Sequence, residues 1–464
     1  MGGTGQTSRR GFLKGTAAVA AGAAGLSLGT GVKVARAQSV RGGRGGRARN
    51  VVFMVADGMS QGVWTMADMA SRQLHGRRSA WASLYMGGAP VTQMMTHSAN
   101  SLVTDSAAAG SAWGSGVHID NGVINQRDGR DLEPILVTAR DRGMATGLVT
   151  TTRVTHATPA SFVANVPSRN MEDEIAGQML DRRVDLILGG GARHFSDDLL
   201  SKHEDLAVVR DTAGLRAAAM TEGRLLGLFN GSHMSYDLDR PETEPHLKEM
   251  SLVALKHLAA KSKGGRGFVL QIEGGRVDHA GHGNDAPGNL FDQIAFDDAV
   301  EAVVGWARRR GDTLVLVMTD HGCGGPELTL YGDEGNEGFA KLLKAKSSVT
   351  AAQIAAGREQ DRVVKLVAEL RERMGVELAM DEIDHLERVL VNDAMGDGFS
   401  GSRSDSAVIG SVLANHWGVA FVSGNHTAEM VHATAVGPGS ELLRPVMDNI
   451  DFYGVVVEAL GLRG

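Results

Sequence analysis

The chain has 464 residues, of which 42% are hydrophobic and 22% are charged. This composition is ordinary for a folded globular protein and excludes a chain that is disordered by default. The formal net charge is −7, and it becomes −12 if residues 1–37 are removed, because that segment holds five basic and no acidic residues. Such an acidic balance argues against a specific nucleic-acid partner.

The N-terminal segment has the pattern of an export signal. Arg9-Arg10 is a twin-arginine pair, an apolar run follows from Thr16 to Leu28, and Ala35-Arg36-Ala37 is a small-x-small cleavage site. This combination predicts a signal peptide over residues 1–37 that is cleaved near Ala37 and read by the twin-arginine export machinery. We therefore expect a periplasmic or secreted protein. Residues 38–50, rich in glycine and arginine, are predicted to form a flexible linker.

Apolar runs and helical patterns alternate through residues 51–333. Strands are predicted at Val51–Ala56, Ala145–Thr152, Val184–Leu188, Arg224–Phe229, Phe268–Ile272 and Thr313–Met318, and helices, for example, at Glu172–Arg182 and Glu249–Ala260. Ala428–Val436 is predicted to be a final edge strand, and Asp451–Leu462 a closing helix. This alternation is typical of an α/β fold whose central, mainly parallel sheet has helices on both faces.

Residues 334–423 differ in character from this core. They hold amphipathic helical patterns and a Gly/Ser-rich stretch at Gly396–Ser406. We predict that they form a mixed helical cap, or crown, inserted over the strand ends. The catalytic core then consists of residues 51–333 and 424–464.

Ser106 stands between an acidic residue and a run of small helix-forming residues. The pattern predicts a helix with Ser106 in its first turn, where backbone N–H groups and the positive helix end favour a phosphate group. From this segment alone, the simpler interpretation is that Ser106 only N-caps the helix. A nucleophilic role depends on residues elsewhere in the chain.

Acidic residues and histidines follow several predicted strands, at the edge of a parallel sheet where ligands bind. They include Asp57, Glu273, Asp320 and His321. Asp278 and His282 are four residues apart, so one helical turn would point both toward a single cation, and His426 lies in a polar segment further on. Carboxylates and imidazoles suit catalytic zinc, and an oxygen-only corner suits magnesium. The single cysteine, Cys323, is predicted to be a small packing residue.

Taken together, these motifs resemble those of the alkaline phosphatases. The matching segments occur in the order and roughly the spacing of that family: Asp57-Gly58, Thr104–Ala107, Thr151–Ala160, Ser168–Asn170, Glu273–His282, Asp320–Gly322 and His426-Thr427. The resemblance implies hydrolysis of small phosphate monoesters with broad specificity, through a phosphoserine. It also implies two Zn²⁺ and one Mg²⁺, with Co²⁺ or another divalent ion as an alternative.

The resemblance further implies roles for individual residues. One zinc ion would be held by Asp278, His282 and His426, the second by Asp57, Asp320, His321 and the Ser106 oxygen, and magnesium by Asp57, Thr158 and Glu273. Ser106 would be the nucleophile and Arg169 a bidentate clamp on two phosphate oxygens, with Asp105, His156 and His279 beside them. Members of the family are often homodimers, and residues 334–423 could form an interface as readily as a lid.

Two positions depart from the best-known enterobacterial form. His156 stands where that form has an aspartate near the third metal, and His279 stands where it has a lysine near the phosphate. We therefore expect the third site to bind magnesium with a different affinity. We also expect weaker retention of phosphate and a more alkaline pH optimum.

Three other functions use similar residues. A sulfatase would need a formylglycine precursor in a Cys/Ser-x-Pro-x-Arg setting, which the Ser106 segment does not provide. Nucleotide phosphodiesterases usually have a threonine nucleophile and no equivalent of Arg169. A periplasmic metal- or phosphate-binding protein without turnover would account for the acids and histidines but not for a serine among them.

Overall fold

The computed structural model describes residues 47–219, 222–391, 400–402 and 404–462. The signal peptide predicted for residues 1–37 and most of the predicted linker lie outside these residues. The described residues all belong to one compact unit. Within that part of the chain, the structure contains no helix whose length and apolar character would let it cross a membrane.

The strands among the described residues are short, and ten of them form one sheet. In chain order they are β1 Asn50–Ala56, β2 Val91–Met95, β3 Gln126–Arg127, β4 Arg130–Asp131, β5 Ala145–Arg153, β6 Leu186–Gly190, β7 Leu206–Val209, β8 Arg224–Leu228, β9 Phe268–Gly274, β10 Thr313–Met318, β11 Gly322–Cys323, β12 Glu327–Leu328, β13 Val419–Ala420, β14 His426–Thr427, β15 Val431–Val436 and β16 Val446–Asp448. The large sheet has the order β16-β2-β15-β10-β1-β9-β5-β6-β8-β7.

The large sheet is parallel except at one strand. β15 runs antiparallel to both of its neighbours, β10 and β2, while the other paired strands of this sheet are parallel. The prediction of a mainly parallel sheet is therefore confirmed. Parallel strands need helical crossovers on both faces, which is why β1 is buried along its whole length.

Helices cover both faces of the sheet. In chain order the described α-helices are α1 Gln61–His75, α2 Ala80–Met86, α3 Ser106–Ser115, α4 Ile135–Asp141, α5 Ala157–Ser161, α6 Glu172–Asp181, α7 Asp197–Ser201, α8 Thr212–Ala218, α9 Leu247–Lys261, α10 Arg276–His282, α11 Ala286–Arg310, α12 Gly332–Leu342, α13 Val349–Ala356, α14 Arg362–Met374, α15 Met380–Leu386, α16 Asp405–Trp417 and α17 Asp451–Leu460.

Two hydrophobic cores lie on opposite faces of the sheet, because side chains alternate along each strand. Val52 and Met54 of β1 pack in one core together with α1, α9 and α11. Val51 and Phe53 pack in the other, together with α3, α4, α6 and α17. Burial on both faces makes the strands continuously apolar, which is why their positions could be predicted.

The segment from 334 to 423 is largely helical among its described residues, as expected. Helices α12 to α16 fall in or at the edge of it, and Phe339, Leu366 and Trp417 belong to the same core as α11. The backbone N–H groups of Val349 and Thr350 donate to the Asp285 carboxylate at 3.0 and 2.8 Å, so the start of α13 is tied to the main domain. Its role as a cap, and the domain boundaries, stay predictions.

The prediction of a final edge strand is wrong. The segment predicted as a final edge strand forms β15, which lies inside the sheet between β2 and β10. The true edges are β16 and β7. The error arose because β2 and β16 are short, and each exposes side chains that interrupt the apolar pattern.

Smaller shifts affect the ends of other elements. β6 begins two residues later than predicted and runs into Gly189 and Gly190. A side chain at Gly189 would meet Val154 and Thr150 at under 3 Å, so the glycine is needed for close packing with β5. β9 extends through Glu273, and β1 begins at Asn50, inside the predicted linker.

Candidate active site

The site forms where parallel strands end side by side. Val55 of β1 pairs with Met318 of β10 on one side and with Glu273 of β9 on the other. Asp57 and Asp320 each lie two residues beyond a paired position, and so they emerge level with each other. The register of the sheet thus gathers carboxylates that are more than 200 residues apart in the chain.

Ser106 is the first residue of α3, and it does not cap the helix. The cap is Asp105, whose Oδ1 accepts a hydrogen bond from the Ala108 backbone N–H at 3.0 Å. The simpler interpretation of Ser106 as an N-cap is therefore wrong, because the preceding aspartate already fills that position. The Ser106 side chain is instead free to point into the site, where its Oγ lies 3.2 Å from His321 Nε2.

A first group of possible metal ligands consists of Asp278, His282 and His426. The two histidine Nε2 atoms are 3.0 Å apart, and Asp278 oxygens lie 3.4 Å from His282 Nε2 and 3.3 Å from His426 Nε2. Ligand atoms around one tetrahedral zinc ion are separated by roughly 3.3 Å, given metal–ligand distances of about 2.0 Å. The group therefore has the spacing of a zinc site. As predicted, α10 places Asp278 and His282 on the same side of one helical turn.

Backbone carbonyls orient the histidines of this group. His282 Nδ1 hydrogen-bonds to the Gly424 carbonyl at 2.7 Å, and His426 Nδ1 to the Thr104 carbonyl at 2.8 Å. A carbonyl only accepts, so each Nδ1 donates its proton there, and each Nε2 is the nitrogen that faces the group and is available to a metal ion. Cys323 Sγ lies within 4.8 Å of the same ligand atoms. Burial and then the nearby Asp278 raise the pKa of the Cys323 thiol well above its ordinary value, which agrees with a packing role.

A second group consists of Asp57, Asp320 and His321, all fully buried. His321 Nε2 lies 3.1 Å from Asp320 Oδ2 and 3.7 Å from Asp57 Oδ1. Because Ser106 Oγ lies 3.2 Å from the same nitrogen, the serine is next to this group. The rings of His321 and His426 stack with centroids 3.6 Å apart, so the first two groups are adjacent.

A third group shares Asp57 with the second. Ligand atoms of Asp57, His156 and Glu273 lie within 4.8 Å of one another, and Thr158 Oγ1 donates to Asp57 Oδ2 at 3.5 Å. The resemblance had implied only oxygen ligands here, with His156 nearby. The structure brings the imidazole close enough to be a ligand itself.

The buried carboxylates are not satisfied by the protein alone. One oxygen in each of four carboxylates accepts no hydrogen bond from the described residues, namely Asp57 Oδ1, Glu273 Oε1, Asp278 Oδ1 and Asp320 Oδ2. Burial, reinforced by Asp320 and Asp278, raises the pKa of Asp57 well above its usual range, and burial raises that of Glu273 to about 7. Buried charges of one sign are costly unless cations compensate them. The residues therefore fit a cluster of divalent metal ions.

Arg169 lies at the entrance of the site with its side chain 23% exposed. Its Nη1 donates to Asp105 Oδ2 at 2.9 Å, and its Nη2 donates to His156 Nε2 at 3.0 Å. Burial, and then Arg169 itself, lowers the pKa of His156 well below its usual range, so the histidine accepts this bond as a neutral ring. The guanidinium is thus held in one orientation while keeping further N–H groups for a phosphate.

Several polar residues in this region were missed by the sequence analysis. His233, in the loop after β8, contacts the rings of His156 and His279 at centroid distances of 5.5 and 4.3 Å. Its ring also contacts Arg153, which forms a bidentate ion pair with Glu172 at 2.7 Å for both bonds. A lone loop histidine carries no sequence signal, but the pairing of Arg153 with an acid on the following helix could have been sought.

Comparison with known proteins agrees with this geometry. A family model described as alkaline phosphatase matches residues 48–462. Alkaline phosphatase 4 of Bacillus subtilis (strain 168) is 30% identical over 89% of this chain and 88% of its own length. Streptomycin-6-phosphate phosphatase of Streptomyces griseus is 29% identical over 90% of this chain and 91% of its own.

Solved structures give the same result. The crystal structure of Thermus thermophilus alkaline phosphatase matches with a TM-score of 0.83 and 33% identity, over 95% of this chain and 96% of that one. The structure of a cold-active alkaline phosphatase from a psychrophilic Shewanella matches with a TM-score of 0.75 and 25% identity, over 89% and 99%. This chain therefore belongs to the alkaline phosphatase family of metal-dependent phosphomonoester hydrolases.

Proposed function

We propose that this enzyme hydrolyses phosphate monoesters of broad specificity through a phosphoserine on Ser106, with two zinc ions and one magnesium ion. The observation that carries the proposal is the place of Ser106 Oγ. It lies at the start of a helix, 3.2 Å from His321 Nε2 and beside a set of carboxylates and histidines. A serine that served only to fold the helix would not need to face this set.

The proposed ligands follow the three groups. One zinc ion is assigned to Asp278, His282 and His426, the other to Asp57, Asp320, His321 and the Ser106 oxygen, and magnesium to Asp57, Thr158 and Glu273. When bound, these cations would supply Lewis acidity and positive charge to the attacking and leaving oxygens. The nearby His156 nitrogen makes the third site less suited to magnesium, so Co²⁺ or zinc is an alternative occupant.

The residues of the chain bind and orient the substrate. Arg169 holds two phosphate oxygens with a bidentate guanidinium, while Asp105 and His156 keep it in place. Ser106 loses its hydroxyl proton and its Oγ attacks phosphorus in line. A new Ser–O–P bond forms, the bond from phosphorus to the alcohol oxygen breaks, and that oxygen takes up a proton as the alcohol leaves. Water then cleaves the Ser–O–P bond, so inorganic phosphate leaves and the serine hydroxyl is restored.

Broad specificity follows from what surrounds Ser106. The polar groups described there are carboxylates, histidines and an arginine, which recognise metal ions and a phosphate group rather than an alcohol. We expect kcat/KM for aryl, sugar and alkyl monoesters to lie within about tenfold of one another, a difference of about 1.4 kcal/mol. A phosphodiester should react far more slowly, since it has only two non-bridging oxygens, and a clamp by Arg169 would leave none of them for the metal ions.

Export and assembly are separate parts of the proposal. The Arg9-Arg10 pair, the apolar run and the cleavage motif support transport by the twin-arginine pathway to the periplasm or outside the cell. Replacing both arginines by lysine should leave the protein in the cytoplasm. We propose a homodimer on the basis of family membership, with residues 334–423 as a cap or an interface; sedimentation of the mature protein tests the first point.

The activity is tested with an aryl phosphate whose alcohol absorbs visible light. Rapid mixing should give a burst of alcohol near one equivalent per active chain, and Ser106→Ala should abolish it. The same assay with zinc, magnesium and cobalt in parallel identifies the metals that support turnover. A diester rate above the monoester rate, or an unchanged burst in Ser106→Ala, would contradict the proposal.

A further inference from the structure

A second kind of metal site lies near the edge of the sheet, away from Ser106. Ligand atoms of His97, His118 and Asp448 lie within 4.8 Å of one another. His118 comes three residues after the end of α3, whereas Ser106 is the first residue of that helix. The ten residues of α3 span roughly 15 Å, so the two residues lie at opposite ends of it. The group shares no residue with the three groups around Ser106, so it is a separate feature of the chain.

The fold brings these residues together from three segments. Asp448 ends β16, which pairs in parallel with β2, and His97 comes two residues after Met95, the pairing partner of Asp448. Both residues therefore lie at the carboxyl ends of these two paired strands. His118 follows the glycine that ends α3, and the Ala99 N–H donates to the Ile119 carbonyl at 3.0 Å, which fixes the two loops against each other.

The distances match those between ligands of one metal ion. His118 Nε2 lies 3.1 Å from Asp448 Oδ1, close to the roughly 3.3 Å expected between two ligands of a tetrahedral zinc ion. The rings of His97 and His118 have centroids 4.3 Å apart. Two imidazoles and one carboxylate are a ligand set used for zinc and for other first-row transition metals, with water completing the coordination.

A simple ion pair between His118 and Asp448 would not explain the third residue. Neither ring nitrogen of His97 hydrogen-bonds to another of the described residues, yet its ring stands against that of His118. Asp448 Oδ1, the oxygen that faces His118 Nε2, is buried and accepts no hydrogen bond from the described residues. A cation between the two rings and the carboxylate would give these unpaired atoms a partner.

We propose that His97, His118 and Asp448 bind a zinc ion that is independent of the catalytic metals. The ion would tie the ends of the edge strand β16 and its neighbour β2 to the segment that follows α3, and so stabilise this edge of the sheet. The inference does not depend on the chemistry proposed for Ser106, because its ligands and its readout are separate.

The test uses the full mature enzyme, equilibrated in buffers of defined free zinc with magnesium present and then separated from unbound metal. Zinc per chain is measured by mass spectrometry in the wild type and in His97→Ala, His118→Ala and Asp448→Asn. His75→Ala, at the exposed end of α1, is the matched control. Phosphatase activity is measured on the same samples, so that filling of the catalytic sites is known.

We expect the wild type and His75→Ala to bind one zinc per chain more than each of the three variants, at activities within twofold of one another. Zinc added after full activation should raise the melting temperature of the wild type but not of Asp448→Asn. Asp448→Asn keeps the shape of the side chain, so it carries the test if an alanine variant folds poorly. Equal zinc content in all proteins would overturn the proposal, as would a loss of zinc that is matched by a proportional loss of activity.

Discussion

Asp105 joins the helix of Ser106 to the guanidinium of Arg169. Its Oδ2 accepts from Arg169 Nη1 at 2.9 Å, and its Oδ1 caps α3 by accepting from the Ala108 N–H at 3.0 Å. Oδ2 also accepts from the Gly122 N–H at 3.0 Å. One carboxylate therefore fixes the distance between the proposed nucleophile and the proposed phosphate clamp.

The first prediction concerns that clamp. Arg169→Lys keeps the positive charge but loses the planar fork, so it cannot bind two phosphate oxygens and Asp105 at once. We expect kcat/KM for an aryl phosphate to fall by about tenfold to a hundredfold, which corresponds to about 1.4–2.8 kcal/mol. Arg216→Lys, at a surface ion pair with Glu249, is the control and should be unchanged.

Asp105→Asn separates the two tasks of the carboxylate. Asparagine still caps a helix, so the melting temperature should change little. The hydrogen bond to Arg169 loses its charge, so KM should rise more than kcat falls. If Arg169→Lys and Asp105→Asn both retained wild-type kcat/KM, Arg169 would have no part in binding phosphate.

The second prediction concerns His279. Burial, and then Arg276, lowers the pKa of His279 to about 3, so the ring is neutral at working pH and adds no charge to the phosphate site. His279→Lys should bind inorganic phosphate more tightly and shift the optimum to lower pH, because release of product becomes slower. Product-inhibition constants and pH profiles of the two proteins provide the comparison. Identical values for both would contradict this explanation.

The third prediction concerns metal removal. The orphan carboxylate oxygens of Asp57, Glu273 and Asp320 imply that bound cations stabilise the fold as well as the reaction. A chelator should lower the melting temperature at pH 8 and abolish activity, and zinc with magnesium should restore both. A site held at a thousandfold its Kd contributes about 4 kcal/mol. Unchanged melting after complete removal of metal would show that the groups do not bind it tightly.

The fourth prediction concerns Asp292, a buried acid of α11 that lies outside the metal groups. Burial, with a further contribution from Asp237, raises its pKa to about 7, although Arg240 and Arg276 oppose the shift. A raised pKa means that the folded state holds the proton more tightly than the unfolded chain. The stability it contributes is thus complete below the unfolded value of 3.8 and is lost as pH rises through about 7.

Asp292→Asn should remove that loss, because the amide stays neutral and its oxygen can still accept from the Asp237 N–H. We expect the variant to gain stability relative to the wild type as pH rises from 5 to 9, as measured by urea unfolding. A difference between the two proteins that is the same at both pH values would rule out an ionisable Asp292 as its cause.

The sequence allowed the strands that carry the site to be predicted, since β1, β9 and β10 are buried on both faces and therefore read as unbroken apolar runs. The polar residues at their ends could be predicted with them. Sheet order could not be predicted, because the short strands β2 and β16 have mixed exposure. Without β2 and β16, the apolar pattern ends the sheet at β15, although β15 lies inside it.

Long-range contacts of single residues could not be predicted from the sequence either. His233 is isolated among loop residues, and its place beside His156 depends on where the loop after β8 folds back. The N-cap of α3 could not be predicted, because Asp105 and Ser106 are both good N-cap residues and only the backbone shows which of them holds the position. The N-cap preferences of aspartate and serine are too similar to decide between two neighbouring residues.

The most direct test of a nucleophilic Ser106 is to trap the intermediate. The enzyme is mixed with excess phosphate monoester, quenched in acid, digested and examined by mass spectrometry. The peptide that contains Ser106 should carry one phosphoryl group in the wild type and none in Ser106→Ala. Turnover without any phosphorylated Ser106 peptide, or a phosphoryl group found on another residue, would show that Ser106 is not the nucleophile.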